Sequence, residues 1–354
     1  MDHGLWQYLC KRLLLCLITL LVILFSCYLL MRLAPGNAAK SSVLDSSGGA
    51  GMVASDRASL ERSKVLEEKL HLDKPLIVGF GIWLSDALRG DFGSSVEFEK
   101  GRPVTELIME RLPVTVKLNF FAILLTYLLA IPLGILTAVS PSQKLDRTVT
   151  VSLLFLYALP VLFTALLLRA FFCKGGMFPV FPLTGLTPTI QPGTSTWQIL
   201  GQTALHYVLP VLCLSYGGFA VIARYTRAGM LDVIRQEYIR TARAKGVPEG
   251  TVIMRHAFRN TLIIMITLFA GILPGLVGGS IMIEYIFDIP GMGTLSMAAL
   301  NSRDLPLVMG LFAFTGFLTL AGILIADILY VIADPRITFR YRACLSWRYR
   351  RRSG

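Results

Sequence analysis

Apolar residues in this chain are gathered into long runs rather than spread at amphipathic spacing. The first, 13–31, follows Lys11 and Arg12 and contains no charged residue. As a helix it is about 28 Å long at roughly 1.5 Å per residue, enough to cross the hydrocarbon core of a bilayer. Comparable runs occupy 120–139, 149–168, 205–223, 261–283 and 305–333. Each backbone amide in lipid must find its partner inside its own segment, and the runs lack the alternation of barrel strands. The pattern therefore predicts an all-α, polytopic membrane protein with about six transmembrane helices. Basic residues ahead of an apolar run, with "GNAA" after it, also suit a secretory signal. The run exceeds the roughly 7–15 apolar residues of such a signal, which favours a retained first span.

The polar connectors give the orientation. Alternate connectors carry Lys11 and Arg12; Lys144 and Arg147; Arg224, Arg227, Arg235, Arg240, Arg243, Lys245, Arg255 and Arg259; and the tail "RITFRYRACLSWRYRRRSG". The others are poor in net positive charge, and 175–202 has no charged residue at all. The bias of Lys and Arg toward the inner side places both the N and C termini in the cytoplasm. Four regions follow: a cytoplasmic N-terminus and first span (1–32), an external region (33–113), a transmembrane core (114–337) with a cytoplasmic loop at 224–260, and a basic cytoplasmic tail (338–354). In the external region, "KSSVLDSSGGAGMVASD" reads as a linker and "RASLERSKVLEEKLHL" as a short surface helix. "GDFG" at 90–93 has none of the sequence context of a phosphate or magnesium site and reads as a turn.

Composition agrees with the membrane assignment and removes one alternative. Of 354 residues, 54% are hydrophobic and 16% charged, with a mean hydropathy of +0.64. The net charge of +12 sits in short segments beside apolar runs, so it points to lipid headgroups rather than nucleic acid. The six cysteines have no metal-type spacing and read as small hydrophobes. No cofactor or metal is expected, and His206 has no second ligand at useful spacing.

The most informative stretch is polar: "EYIRTARAKGVPEG", 237–250. Ile234, Tyr238 and Ala242 would form a narrow apolar stripe on a helix, and Glu237 would pair with Arg240. Gly246 suits a left-handed helix cap, and Pro248 suits the start of a second helix running through Arg255 and Asn260 into the fifth span. A surface helix held to anionic headgroups is one reading. Its apolar face lacks Trp, Phe and Leu, whereas Ala242, Ala244 and Gly246 would let its backbone seat closely in a protein groove.

"RTARAKG" followed by "HAFRN" resembles the cytoplasmic loop of binding-protein-dependent ABC transporter permeases, whose pattern is E-A-A-x-x-x-G and, after a gap, I-x-L-P. Arg240, Thr241, Ala242 and Gly246 fall on the first, second, third and seventh positions, and residues 256–259 on the last four. Arg240 replaces the glutamate and Arg259 the proline, as in the dipeptide and oligopeptide branch of the family. "RGDFGSS", "RLPVTVKL", "IPLGILTAV", "GGSIMIEYIFDIPGMGTL", "RDLPLVMG" and "DILYVIADPRI" resemble that branch in the same order. The resemblance implies a type I ABC importer permease fold in the bacterial inner membrane. Its partners would be a second homologous permease subunit, two ATP-binding cassette ATPases and an external substrate-binding protein.

The resemblance also implies a transporter subunit rather than an enzyme, and the chain has no G-x-x-x-x-G-K-[ST] phosphate loop. Its contact with the ATPases would be Glu237, Arg240, Thr241, Ala242, Ala244, Lys245 and Gly246, where Ala242→Trp or Gly246→Trp would uncouple transport. Dipeptides or oligopeptides are the expected cargo, with nickel or a nickel chelate as the alternative. A self-sufficient ion-coupled transporter would need inverted repeats, and no internal symmetry is evident. Gly271, Gly275 and Gly279 recur every fourth residue, which suits close helix packing or, with Pro274, a hinge or pathway wall. Glu284 and Asp327 are the carboxylates nearest the apolar runs; Glu284 would border the external mouth, and both suit helix-end or cation-paired roles better than a proton relay.

Overall fold

The computed structural model describes residues 2–33, 74–140, 142–186, 195–272 and 275–333. Among them regular structure is helical, with two isolated β-bridges, Ser94 with Pro103 and Cys173 with Phe181. The expected 57–72 surface helix, the Ser/Gly-rich stretch, Pro274 and the basic tail lie outside the described residues.

The first apolar run forms α1 (Asp2–Leu33). A helix absent from the expected elements, α2 (Leu76–Leu88), starts after Pro75 and packs Trp83 with Leu24 and Tyr28 of α1. The following "GDFG" is a turn, as expected: Gly90 and Gly93 have φ of +84° and +82°, and the Asp91 carboxylate accepts from the Gly93 N–H at 2.8 Å. α3 (Val104–Val139) has 36 residues, about 54 Å at 1.5 Å per residue, and extends more than four turns ahead of the second predicted run. The third run is bent. α4 (Gln143–Ala158) and α5 (Val161–Phe172) meet at 91° across Leu159 and Pro160. Proline removes a helical N–H and pushes the residue before it out of the α region, and Leu159 is accordingly extended.

α6 (Thr196–Ile234) carries the fourth run through 39 residues and pairs with α3. Small residues set the closeness of this pair. A Cβ on Gly134 would lie 2.5 Å from Thr226 Cβ and 2.6 Å from the Ala223 carbonyl oxygen, and one on Gly218 would lie 2.8 Å from Thr126 Cγ2.

After α6 come α7 (Glu237–Ala244), the single turn α8 (Glu249–Thr251) and a π-helical segment, Val252–Phe258. The fifth predicted run is the main departure from the sequence pattern. It appears as three pieces, α9 (Arg259–Ile272), α10 (Gly275–Gly278) and α11 (Ile281–Ile286). Gly279, at φ +65°, turns the chain between the last two, a conformation that an apolar count cannot register. α12 (Met292–Asn301) and α13 (Leu305–Ala333) complete the described fold. Four helices are long and apolar enough to cross a membrane, five when α4 and α5 count as one bent span. The six predicted runs thus appear as four long helices, one bent pair and one broken series.

The two ends of α3 sit in separate cores. Val104, Leu107 and Ile108 pack with Met292 and Leu295 of α12 and Leu307 and Leu311 of α13. Ile135, Ala138 and Val139 pack beneath α7, at the other end.

Candidate functional site

α7 exists as a separate helix because α6 stops at Ile234 and Gln236 takes an extended conformation, φ −73° and ψ 148°. That break rotates the face that the sequence assigns. Ile239 and Ala242, three residues apart, are the buried side chains, at 0% and 8% exposure. They sit among Met230 of α6 and Val252 and Ala257 of the π-helical segment. Tyr238 is not part of the stripe: it is 44% exposed, and its hydroxyl accepts from Asn260 Nδ2 at 2.7 Å. Ala242 therefore seats α7 on its own chain. A tryptophan there would unseat the helix before it met a partner.

The outward face of the loop carries Glu237, Arg240, Thr241, Ala244, Lys245 and Gly246, all exposed. Arg240 donates to Glu237 at 2.9 Å, the expected pair. Gly246 has φ +73°, and the Val247 N–H reaches back to the Ala242 carbonyl at 3.3 Å, so the left-handed cap is present. Arg243 forks onto Glu249 with bonds of 2.6 and 3.1 Å, closing the turn between α7 and α8. Those hydrogen bonds hold the Glu249 carboxyl below the usual carboxylate range and push the Arg243 guanidinium up. The π-helical widening brings Ala257 of "HAFRN" wholly into the seat; such segments occur often at functional sites.

The other predicted residues lie away from α7 and do not form one cluster. Glu284 is fully buried rather than open to an external mouth. Its carboxylate accepts from Thr115 Oγ1 at 3.0 Å and from the N–H groups of Gly293 and Thr294 at 2.7 and 3.1 Å. Thr115 in turn accepts from the Met292 N–H at 2.8 Å. Gly279 packs on this carboxylate, where a Cβ would come within 2.7 Å of Oε1. Gly271 and Gly275 do not make the expected close helix contact: a Cβ on either would meet nothing within 4 Å. Gly275 instead lines a cavity of about 320 Å³ with Asn119, Thr126 and Tyr127 of α3 and Gly218 and Val221 of α6.

Three polar anchors are missing from the sequence reading. Asp304, buried ahead of α13, accepts from Ser95 Oγ at 2.6 Å and from the N–H groups of Val96, Glu97 and Phe98 at 2.9, 3.0 and 3.1 Å. Its other oxygen caps α13 through the Leu307 N–H at 3.2 Å, and an Asp just before an apolar run is the available sequence signal for that role. Arg12 of α1 lies 3.3 Å from Asp327 of α13, which gives that carboxylate a cation partner. Arg169 donates to the Ile286 carbonyl, joining α5 to the end of α11.

Comparison with known proteins agrees with this construction. Residues 130–339 match the family of binding-protein-dependent transport system inner membrane components. The oligopeptide transport system permease protein AppB of Bacillus subtilis is 35% identical over 333 residues, covering 94% of this chain and 99% of the relative. A putative peptide transport system permease protein of Brucella abortus is 36% identical over 320 residues, 90% of this chain and 95% of its own. The peptidoglycan transport system permease protein YejB of Agrobacterium fabrum is 32% identical over 362 residues, 95% of this chain and 99% of its own. With its apolar helices, this chain belongs to the binding-protein-dependent transport system inner membrane components, and it is a multi-pass protein of the bacterial inner membrane and a permease of the peptide ABC transporter family.

Proposed function

We propose that this chain is one of two permease subunits of an ATP-driven importer of peptides. It crosses the membrane six times, with both termini cytoplasmic, when the bent α4–α5 pair and the broken α9–α11 series each count as one span. A second, homologous permease completes the pathway, two cassette ATPases bind on the α7 side, and an external binding protein delivers cargo at the opposite side. Peptide is preferred over nickel because the similar relatives are named for oligopeptide, peptide and peptidoglycan transport.

The observation that carries this reading is the mounting of α7. Two apolar side chains fix it to the ends of α3 and α6, and its remaining face is left to solvent. A lever needs that division: a rigid root in the subunit it moves and a free face for the subunit that pushes. Work done by ATPase closure shifts the permease between states only through contacts that differ between those states.

Ala244, on the outward face, is the test position. In the assembled complex, Ala244→Trp should abolish ATP-driven peptide uptake into vesicles while the chain still inserts and still binds its permease partner. Undiminished uptake would remove α7 as the contact.

A further inference from the structure

α6 supplies the wall of two cavities. Gly218 and Val221 border the one shared with Asn119 and Tyr127 of α3, and Val221 also borders a second, of about 440 Å³, between α4 and α6. The second is lined by Tyr157, Arg224 and Tyr225 together with small and aliphatic side chains. Positions 214, 218, 221 and 225 recur at helical spacing, so the two cavities follow one another along a single helix face. Arg224 stands ten residues before the end of α6, about 15 Å at 1.5 Å per residue, and α7 begins just beyond.

The chemistry of the two cavities differs. The first has no charged side chain in its lining; its polar groups come from Asn119, Thr126 and Tyr127. Its far wall includes Ile272 and Gly275, where one helix ends and the next begins. Helix breaks at membrane depth are tolerated where they are buried in protein or line a water-filled cavity. The second cavity contributes a single cation. Arg227, which lies close by, is fully engaged by Asp146 through bonds of 2.8 and 2.6 Å. Arg224 has no hydrogen bond or ion pair among the described residues. A guanidinium without a partner beside apolar helices is costly, and such groups commonly mark a pathway for a charged ligand.

We infer that this face of α6 is the wall of the subunit's half of the transport pathway, and that Arg224 is a specificity-determining residue that receives the C-terminal carboxylate of a peptide moving toward the α7 end. The inference rests on the importer reading above. A guanidinium presents a planar fork that matches a carboxylate. Every unmodified peptide carries that carboxylate whatever its side chains, and the uncharged first cavity makes no demand on side-chain charge. The site thus suits a transporter that tolerates varied sequences but requires a free C-terminus.

The test uses the assembled complex in vesicles of zwitterionic lipid, with and without added phosphatidylglycerol. Initial ATP-driven uptake is measured for one tripeptide as the free acid and as the C-terminal amide. Arg224→Gln should lower uptake of the acid about tenfold, the loss of one charge-assisted contact, and leave the amide within about twofold. Arg224→Lys should retain most acid uptake. Should the wild type refuse the amide, the deciding measurement is protection of Val221→Cys from a water-soluble thiol reagent, in a chain whose native cysteines are replaced. The acid should protect it when Arg224 is present and not in the Arg224→Gln variant.

Equal loss for both peptides, no loss for either, or unchanged protection in the variant would overturn the assignment. A loss seen only with phosphatidylglycerol would also overturn it and give Arg224 to a lipid phosphate. Wild-type uptake indifferent to Arg224 sinks this inference alone. A wild-type complex that moves no peptide sinks the importer reading with it.

Discussion

The two ends of α3 are finished with opposite polar chemistry. At its last turns, α7 is held by apolar contact, and the charged side chains stay outside: Glu237, Arg240, Arg243 and Glu249 pair with one another in solvent. At its first turns, carboxylates are the buried element. Glu284 and Asp304 each gather backbone N–H groups from a segment distant in sequence or turned back on itself, and both are wholly enclosed. Exposed pairs contribute little to stability and leave their charges available to another protein. Buried carboxylates are demanding and cannot be removed without leaving donors unpaired. One end is thus built to be pushed and the other to keep its shape.

The largest effect should come from the rigid end. Asp304→Ala leaves the Ser95 hydroxyl and the N–H groups of Val96, Glu97 and Phe98 without their acceptor. Unsatisfied buried donors cost roughly 1–3 kcal/mol each, so a loss of about 3 kcal/mol or more is expected. Thermal unfolding of the detergent-solubilised complex should show it as a lowered midpoint and a poor yield of folded chain. A midpoint unchanged from the wild type would mean that this end is held by its apolar core alone.

A smaller, more local effect should come from the seat of α7. Ile239→Ala removes a fully buried side chain at a cost of about 2–5 kcal/mol, borne by a short helix at the edge of the molecule. Uptake should fall strongly while the unfolding midpoint of the whole complex moves less than in Asp304→Ala. If both variants lower the midpoint equally and uptake only in proportion to folded protein, the two ends are not mechanically different.

The same contrast explains what could be read from the sequence. Apolar runs are long-range averages, so α1, α3, α6 and α13 were legible, and so were the Gly246 cap and the Glu237–Arg240 pair, which depend on neighbours only. Turns inside an apolar run were not: nothing in the hydropathy of 261–283 separates one span from three pieces, because Gly279 acts through its backbone angle. The face of α7 was misassigned for a related reason. A single extended residue, Gln236, resets the helical phase, so Ile239 replaces Tyr238 in the seat. Thr115 with Glu284, and Ser95 with Asp304, are separated by 169 and 209 residues, and no local spacing signals them.

The finest test of the comparison is acid titration of the loop beyond α7. Hydrogen bonds from Arg243 hold the Glu249 carboxyl below its ordinary value in the folded protein, so the pair contributes fully above the unfolded carboxylate's titration, near about pH 4.3. That contribution disappears as pH falls through the lower, folded value, and at neutral pH it should be constant. Because both partners are exposed, its size is small and salt weakens it. Amide hydrogen exchange across 245–251 should therefore quicken, relative to intrinsic exchange, as pH is lowered through the acid range and as salt is raised at neutral pH. Glu249→Gln should remove most of both responses, while exchange across 95–98, under a buried acceptor, should be indifferent to salt. Equal salt sensitivity at the two ends would erase the distinction between an exposed, yielding lever and an enclosed, fixed frame.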